Sequence, residues 1–312
     1  MSNIYPEHLD RSAARMLTRS TADRFAFIER DRVIETPSLV LIQDRLEELF
    51  AHHRILRPPN LALIAASGAG KSHAIEDFFE RHRPRRTADG RLRVPVLLVE
   101  YPPVADKNWL VTAMLDALGY RTGLPRETSR LHELLRDRIA LAGTRLIIIE
   151  EASRLYLWGA AYLREFYGVM VWLSNQSGVP IALTGTEDLA SVIEGDLQLV
   201  RRFERLELRP WALDQDFTDF VATYLRMMPL GHATRLDLSM LERLMEASDG
   251  ITDTLVEVLQ RAVKAAILDG SERVLLQHVK TIDAFRPPPV VKGRKVQRGQ
   301  ARKRGLIKAA AR

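Results

Sequence analysis

The chain has 312 residues, of which 46% are hydrophobic and 28% are charged, a composition typical of a soluble protein with one large or two modest domains. It contains no cysteine, which excludes disulfides, thiolate nucleophiles and cysteine-ligated zinc. The longest apolar runs have the length of strands and the N-terminus lacks a signal-peptide pattern, so we expect a cytoplasmic protein that does not contact a membrane.

The first 50 residues are predicted to form an N-terminal extension with one helix. Apolar residues recur with helical spacing over residues 38–50, and no helix-turn-helix pattern is visible before them. We therefore expect the main folded core to begin at about residue 51.

The most informative segment follows the apolar run of residues 61–64 and reads Ala-Ala-Ser-Gly-Ala-Gly-Lys-Ser over residues 65–72. A strand, a glycine-bearing loop and a Lys-Ser pair in this order are typical of a phosphate-binding loop. The backbone N–H groups surround the β-phosphate, Lys71 reaches the β- and γ-phosphate oxygens, and Ser72 binds Mg²⁺. A helix that begins near Lys71 directs the positive end of its dipole to the phosphates.

This segment departs from the usual pattern at one position, because Ala65 stands where the first glycine is expected and its Cβ disfavours a positive φ. The loop still predicts nucleotide and Mg²⁺ as cofactors. The predicted nucleotide-binding residues are Ala65, Ser67, Gly68, Ala69, Gly70, Lys71, Ser72 and His73.

Two carboxylates follow the apolar run of residues 146–149, which is typical of a buried parallel strand. Ligands of open α/β sheets bind at the carboxyl ends of strands, so we expect Glu150 to join Ser72 at the metal and Glu151 to polarise the attacking water. Aspartate is commoner at the first position. Because Glu150 is one methylene longer, the sequence predicts metal binding with slow hydrolysis.

Five strand patterns alternate with helical patterns, which predicts an α/β fold with a five-stranded parallel sheet. The strands are predicted at residues 61–64, 94–100, 145–151, 179–184 and 205–208, and the helices between them at residues 109–118, 131–141 and 161–173. The strand between the two motifs and the second glutamate favour an ATPase over a nucleotide kinase or small-molecule phosphotransferase. Helical patterns alone follow residue 214 and predict a lid.

The C-terminal segment, residues 286–312, carries ten Lys and Arg residues and no Asp or Glu, so it accounts for the whole excess positive charge of a chain with net charge +6. Its few apolar residues predict a disordered basic tail that contacts nucleic-acid phosphates; the alternative is a solubilising tail without a partner. Its candidate DNA-binding residues are Lys292, Arg294, Lys295, Arg302, Lys303 and Arg304.

The arrangement resembles the AAA+ ATPases, and short motifs along the chain resemble one group of them, the TniB/TnsC transposition regulators related to MuB. The most specific motif is Leu-Thr-Gly-Thr-Glu-Asp-Leu at residues 183–189. The others lie at residues 57–61, 100–103, 173–175, 196–203, 208–211 and 248–251. The expected domains are an extension (1–50), an AAA+ core (51–212), a helical lid (213–285) and the tail (286–312).

The resemblance implies an ATPase that uses ATP and Mg²⁺ and oligomerises as a ring or helical filament on duplex DNA with little sequence specificity. Such a protein marks a target site and recruits or activates a transposase together with a target-selection protein. Two alternatives stay open: an ATP-binding DNA scaffold with little hydrolysis, and a related protein of the helicase-loader type.

The resemblance also implies roles for residues outside the two motifs. Thr186, or else Thr184, occupies the place of the γ-phosphate sensor, and Arg202, or else Arg201, that of the arginine inserted into a neighbouring subunit's site. Residues 250–253 lack the lid arginine of many AAA+ proteins. The implied DNA contacts after the second strand are Lys107, Arg121 and Thr122.

Overall fold

The computed structural model describes residues 6–53, 57–102, 108–120 and 123–280. Its strands are β1 (Asn60–Ala65), β2 (Arg85–Arg86), β3 (Leu92–Arg93), β4 (Val96–Glu100), β5 (Leu146–Glu150), β6 (Ile181–Gly185) and β7 (Phe203–Leu208). The helices up to β5 are α1 (Arg11–Met16), α2 (Thr21–Ile28), α3 (Pro37–Ala51), α4 (Lys71–Arg81), α5 (Trp109–Ala117) and α6 (Thr128–Ala142). Those after β5 are α7 (Ala160–Ser177), α8 (Asp188–Glu194), α9 (Leu197–Val200), α10 (Gln215–Arg226), α11 (Leu238–Ser248), α12 (Thr252–Leu268) and α13 (Leu276–Lys280), with a 3-10 helix at Ala152–Leu157.

The main sheet has the strand order β4-β5-β6-β1-β7, and every neighbouring pair is parallel, as the sequence predicts. Alternate residues of β1 face opposite sides. Leu61 and Leu63 pack with α3 and α4, and Ala62 and Ile64 pack with the cluster under α5 to α8. Helices on both faces bury β1, β5 and β6 almost completely, which explains why these central strands read as continuous apolar runs, whereas the edge strand β7 alternates buried with exposed residues.

The predicted helical lid consists of α10 to α13 around a core of its own. Asp214 and Asp237 start α10 and α11, because each carboxylate accepts a hydrogen bond from a first-turn N–H group. Phe217 and Leu259 are fully buried in this core, so the lid packs as a unit beside the sheet.

The N-terminal segment differs from the prediction of an extension with one helix. The described part holds three helices, and α3 belongs to the core because Ile42 and Leu46 pack with β1 and α4. Helices α1 and α2 have only six and eight residues, too few for a clear periodic pattern. They are fixed instead by capping at Asp10 and Ser20 and by contacts with the lid.

The lid contacts of α2 are specific. Ile28 is fully buried in the lid core, and the guanidinium of Arg24 donates to Glu272 at 2.9 Å. The carbonyl of Ile28 accepts a bond from Gln260. The chain therefore begins its described course on the lid, crosses to the core at α3, and returns to the lid at α10.

The short antiparallel pair β2–β3 was not predicted, since two residues per strand leave no readable alternation. None of the described helices is long and apolar enough to cross a membrane.

Candidate functional site

The predicted phosphate-binding loop connects β1 to α4. Gly68 and Gly70 have φ values of 77° and 90°, which only glycine adopts without strain, and Gly70 is the residue before α4. Ala65 ends β1 in extended backbone and is 2% exposed, so the missing first glycine leaves no strained residue there. The loop thus has the strand-loop-helix geometry that anion binding by backbone N–H groups requires.

The lysine of the loop is held within it. Lys71 is 8% exposed, and its ammonium donates to the carbonyl oxygens of Ala65 and Ala66, both at 2.8 Å. Burial lowers the pKa of Lys71, while the negative charges of Glu151 and Asp253 act in the opposite direction. The lysine is therefore placed inside the loop and close to carboxylates.

The structure brings Ser72 and Glu150 together, as expected for a shared metal site. The Ser72 hydroxyl donates a hydrogen bond to the Glu150 carboxylate. Burial raises the pKa of Glu150, and the nearby charges of Glu100 and Glu151 raise it further. Along the described ranges no group of three His, Cys, Asp or Glu side chains could hold a metal alone, so a Mg²⁺ ion here needs phosphate oxygens as further ligands.

The second glutamate has an unusual backbone and a cationic neighbour. Glu151 has φ +57°, in the left-handed region that is costly for a residue with a Cβ. Arg154 donates to Glu100 at 2.8 Å and to the Tyr101 carbonyl at 2.7 Å, and its Nε lies 3.8 Å from a Glu151 oxygen. The position of Glu151 is therefore set by its own turn and by Arg154.

The two threonines offered as phosphate sensors lie at different depths. Thr184 is 3% exposed within β6, opposite Leu63 of β1. Thr186 follows β6, next to the position where β1 becomes the phosphate loop, and it is half-buried. The geometry favours Thr186, whose role stays a prediction.

Arg201 and Arg202 lie at the amino ends of the strands, whereas the phosphate loop lies at the carboxyl ends. The two arginines directly precede β7, and β7 begins beside Asn60, the first residue of β1. Six residues of strand separate the two ends by roughly 20 Å. Arg202 donates to Asn175 at 2.8 Å, while Arg201 is exposed. Neither arginine reaches the phosphate loop of its own chain.

A cavity of about 410 Å³ adjoins the phosphate loop, and most of its wall was not predicted. Four segments line it, with residues drawn from 30–42, 69–73, 208–224 and 250–260. Its size is that of a site for a small organic ligand. His73 lies in the wall, so this predicted nucleotide-binding residue is placed beside the cavity. The Leu-Arg-Pro-Trp run at residues 208–211 lines the cavity, and it was the sequence motif from which part of this wall could have been predicted.

The lid contacts the phosphate loop directly. The N–H of Asp253 donates to the Gly68 carbonyl at 3.0 Å, and Trp211 donates from its indole to Thr252 at 3.1 Å. A methyl group on Gly68 would lie 3.0 Å from the Asp253 carboxylate and 3.1 Å from Ile251. The lid residue that lies against the loop is thus acidic.

All the predicted DNA-binding residues fall outside the described ranges. They are Lys107, Arg121, Thr122, Lys292, Arg294, Lys295, Arg302, Lys303 and Arg304. Their roles stay predictions.

Comparison with known families gives one match that covers more than half of the chain. The family model described as "Bacterial TniB protein" matches residues 24–213, from α2 to the start of the lid. No curated protein matches the chain.

Solved structures show the same fold. The Orc1 protein of Aeropyrum pernix in complex with DNA matches with a TM-score of 0.59 and 19% identity, over 84% of this chain and 69% of that chain. Cdc6p from Pyrobaculum aerophilum has a TM-score of 0.60 and 14% identity, over 83% and 70%. The ORC2 protein of Aeropyrum pernix, in ADPNP-ADP complexes, has a TM-score of 0.56 and 11% identity, over 83% and 70%. The fold is that of the AAA+ ATPases.

Proposed function

Because the chain belongs to the TniB family of bacterial proteins, we propose that it is an ATP-dependent, DNA-binding regulator of transposition. It oligomerises on duplex DNA with little sequence specificity, marks a target site, and recruits or activates a transposase with the help of a target-selection protein. ATP and Mg²⁺ are its cofactors.

One observation carries this proposal: the phosphate loop, the Ser72–Glu150 pair and the cavity beside the loop adjoin one another where the lid meets the core. The loop suits phosphates, the cavity suits a nucleoside, and the pair suits a metal. The fold neighbours support nucleotide and DNA as ligands, since ORC2 was solved with ADPNP and ADP and Orc1 with DNA.

Ser72 and Glu150 would hold Mg²⁺, which when bound would offset the negative charge of the phosphates. Glu151 orients and deprotonates the water that attacks the γ-phosphate, and Lys71 neutralises charge on the β- and γ-phosphate oxygens. Thr186 donates a hydrogen bond to the γ-phosphate from its place after β6.

A second copy of the chain completes this site. The site is rich in carboxylates, with Glu100, Glu150 and Glu151 at the ends of two adjacent strands. Arg202, or Arg201, lies about 20 Å from its own loop and therefore acts on the site of a neighbouring subunit, for which Arg202 exchanges its bond to Asn175. There a guanidinium stabilises charge on the transferred phosphoryl group, which couples assembly to turnover.

DNA is held through its phosphates by Lys107, Arg121 and Thr122 and by the basic tail. Lysine, arginine and threonine side chains bind backbone phosphates without reading base identity. This suits a protein that loads on many sequences.

The test is duplex DNA binding with and without ATP and Mg²⁺, on two unrelated sequences, with particle size followed in the same samples. We expect large complexes on both sequences only when ATP is present. DNA binding that is equally strong with and without ATP, on both sequences, would contradict the proposal.

A scaffold with little hydrolysis is the second candidate function, favoured by the contact of Arg154 with Glu151 and by the extra methylene of Glu150. Turnover by wild type and by Glu150→Asp separates the two. A large gain in turnover on shortening the side chain supports the scaffold, and a loss supports the ATPase.

A further inference from the structure

The lid residue that lies against the phosphate loop is a carboxylate. Asp253 donates its backbone N–H to the Gly68 carbonyl at 3.0 Å, and its side chain faces the same glycine, at 3.0 Å from where a methyl group on Gly68 would lie. Burial lowers the pKa of Lys71, and the negative charge of Asp253 is among those that act in the opposite direction.

Asp253 also lies in the first turn of α12, a helix of 17 residues whose N-terminus is directed at the loop. The N-terminus of such a helix carries a partial positive charge that attracts anions. The Asp253 carboxylate offsets that charge, and its N–H group is already bonded to Gly68. The lid therefore offers bound phosphates an acidic group in place of free donors.

We propose that Asp253 lowers the affinity of the site for nucleotides, because its carboxylate repels the phosphate chain. The repulsion grows with the negative charge of that chain. This deepens the proposed function and rests on its nucleotide site. Asp253 is a specificity-determining residue: it disfavours ATP more than ADP, and ADP more than AMP. The backbone of the same residue bonds Gly68, so the contact that holds the lid on the loop also places a repelling carboxylate beside the phosphates. This contact therefore favours release of the nucleotide.

The effect is measured as a change in dissociation constant for Asp253→Asn in the full chain. We expect about tenfold tighter binding of ATP, equivalent to about 1.4 kcal/mol. The gain falls to about threefold for ADP and disappears for AMP. It shrinks when Mg²⁺ neutralises part of the phosphate charge, and again when salt is raised, because salt screens the repulsion.

Isothermal titration of ATP, ADP and AMP, in EDTA and then in Mg²⁺, provides these values. Glu257→Gln is the matched control, since it removes one charge from the same helix at an exposed residue paired with Arg261. Asp253→Glu keeps the negative charge and should therefore retain wild-type affinities for all three nucleotides. Loss of Asp253 also removes a favourable charge from a helix N-terminus, so the melting temperature should fall slightly while affinity rises.

Several results would overturn the proposal. Asp253→Asn could bind ATP no better than wild type, or gain equally for ATP and AMP. It could lose affinity only in Mg²⁺, which would make Asp253 a partner of the metal's water shell. Wild type that binds none of the nucleotides would instead defeat the proposed function, so the two failures are distinguishable.

Discussion

Replacement of Arg24 by alanine should weaken the attachment of the N-terminal helices to the lid. The Arg24 side chain is 9% exposed and donates to both oxygens of Glu272, at 2.9 and 2.5 Å, and to the Pro229 carbonyl at 2.5 Å. Bonds of this charged kind are worth roughly 1.5–3 kcal/mol when one is removed from a buried place, and Glu272 stays partly hydrated. We expect the free energy of unfolding to fall by about 2–3 kcal/mol.

Urea denaturation at pH 7 measures this loss, with Arg19→Ala as the control because that arginine is exposed on the same segment. A double-mutant cycle with Glu272→Gln isolates the pair from the packing of the arginine stem. The cycle should return a coupling of more than about 1 kcal/mol, as expected for neighbours in one network.

The loss should also depend on pH. The hydrogen bond from Arg24 lowers the pKa of Glu272. A carboxyl with a lowered pKa in the folded state stabilises the fold above its unfolded pKa of about 4.3, and this contribution disappears as the pH falls through the folded value. The gap between wild type and Arg24→Ala should therefore narrow below about pH 4. The reasoning would be refuted if Arg24→Ala lowered the free energy of unfolding no more than Arg19→Ala does, or if its effect were the same at every pH.

The remaining predictions concern the site. Lys71→Ala should abolish ATP-dependent DNA binding in an electrophoretic assay, because the phosphates lose their cation; unchanged binding would remove the nucleotide from the mechanism. Arg202→Ala should keep nucleotide binding by the monomer and lose assembly and turnover, with Arg201→Ala as the comparison, and equal assembly by both variants would reject an interface role. Since burial raises the pKa of Glu150, affinity for Mg²⁺-ATP should fall on acidification at a higher pH than an exposed glutamate allows, and titrations of Glu150→Gln should lack that step. Deletion of residues 286–312 should weaken DNA affinity and flatten its salt dependence; an unchanged slope would leave the tail as a solubilising segment.

The sequence predicts the sheet and the phosphate loop well because their signals are local. The strands β1, β4, β5 and β6 are short, mainly apolar runs, β7 alternates apolar with charged residues over part of its length, and the loop requires glycine and lysine at fixed spacing. The proximity of Glu150 to Ser72 also follows from the sequence, because ligands of open α/β sheets bind at the carboxyl ends of the strands, while their role at a metal stays a prediction.

The rest depends on contacts between distant parts of the chain. Helix α2 is fixed by Arg24 and Glu272, which are 248 residues apart, and no periodic pattern in an eight-residue helix reveals such a pair. The cavity is assembled from four segments that no local motif links. The acidic residue at the loop, Asp253, becomes meaningful only when the lid is seen to lie on Gly68.

The return of the chain to the lid has a mechanical consequence. Two connections join the lid to the core, one between Ile28 and Pro37 and the other between Leu208 and Gln215, and both line the same cavity. A ligand that fills this cavity would therefore contact both connections at once, and with them the two places where the backbone passes between core and lid.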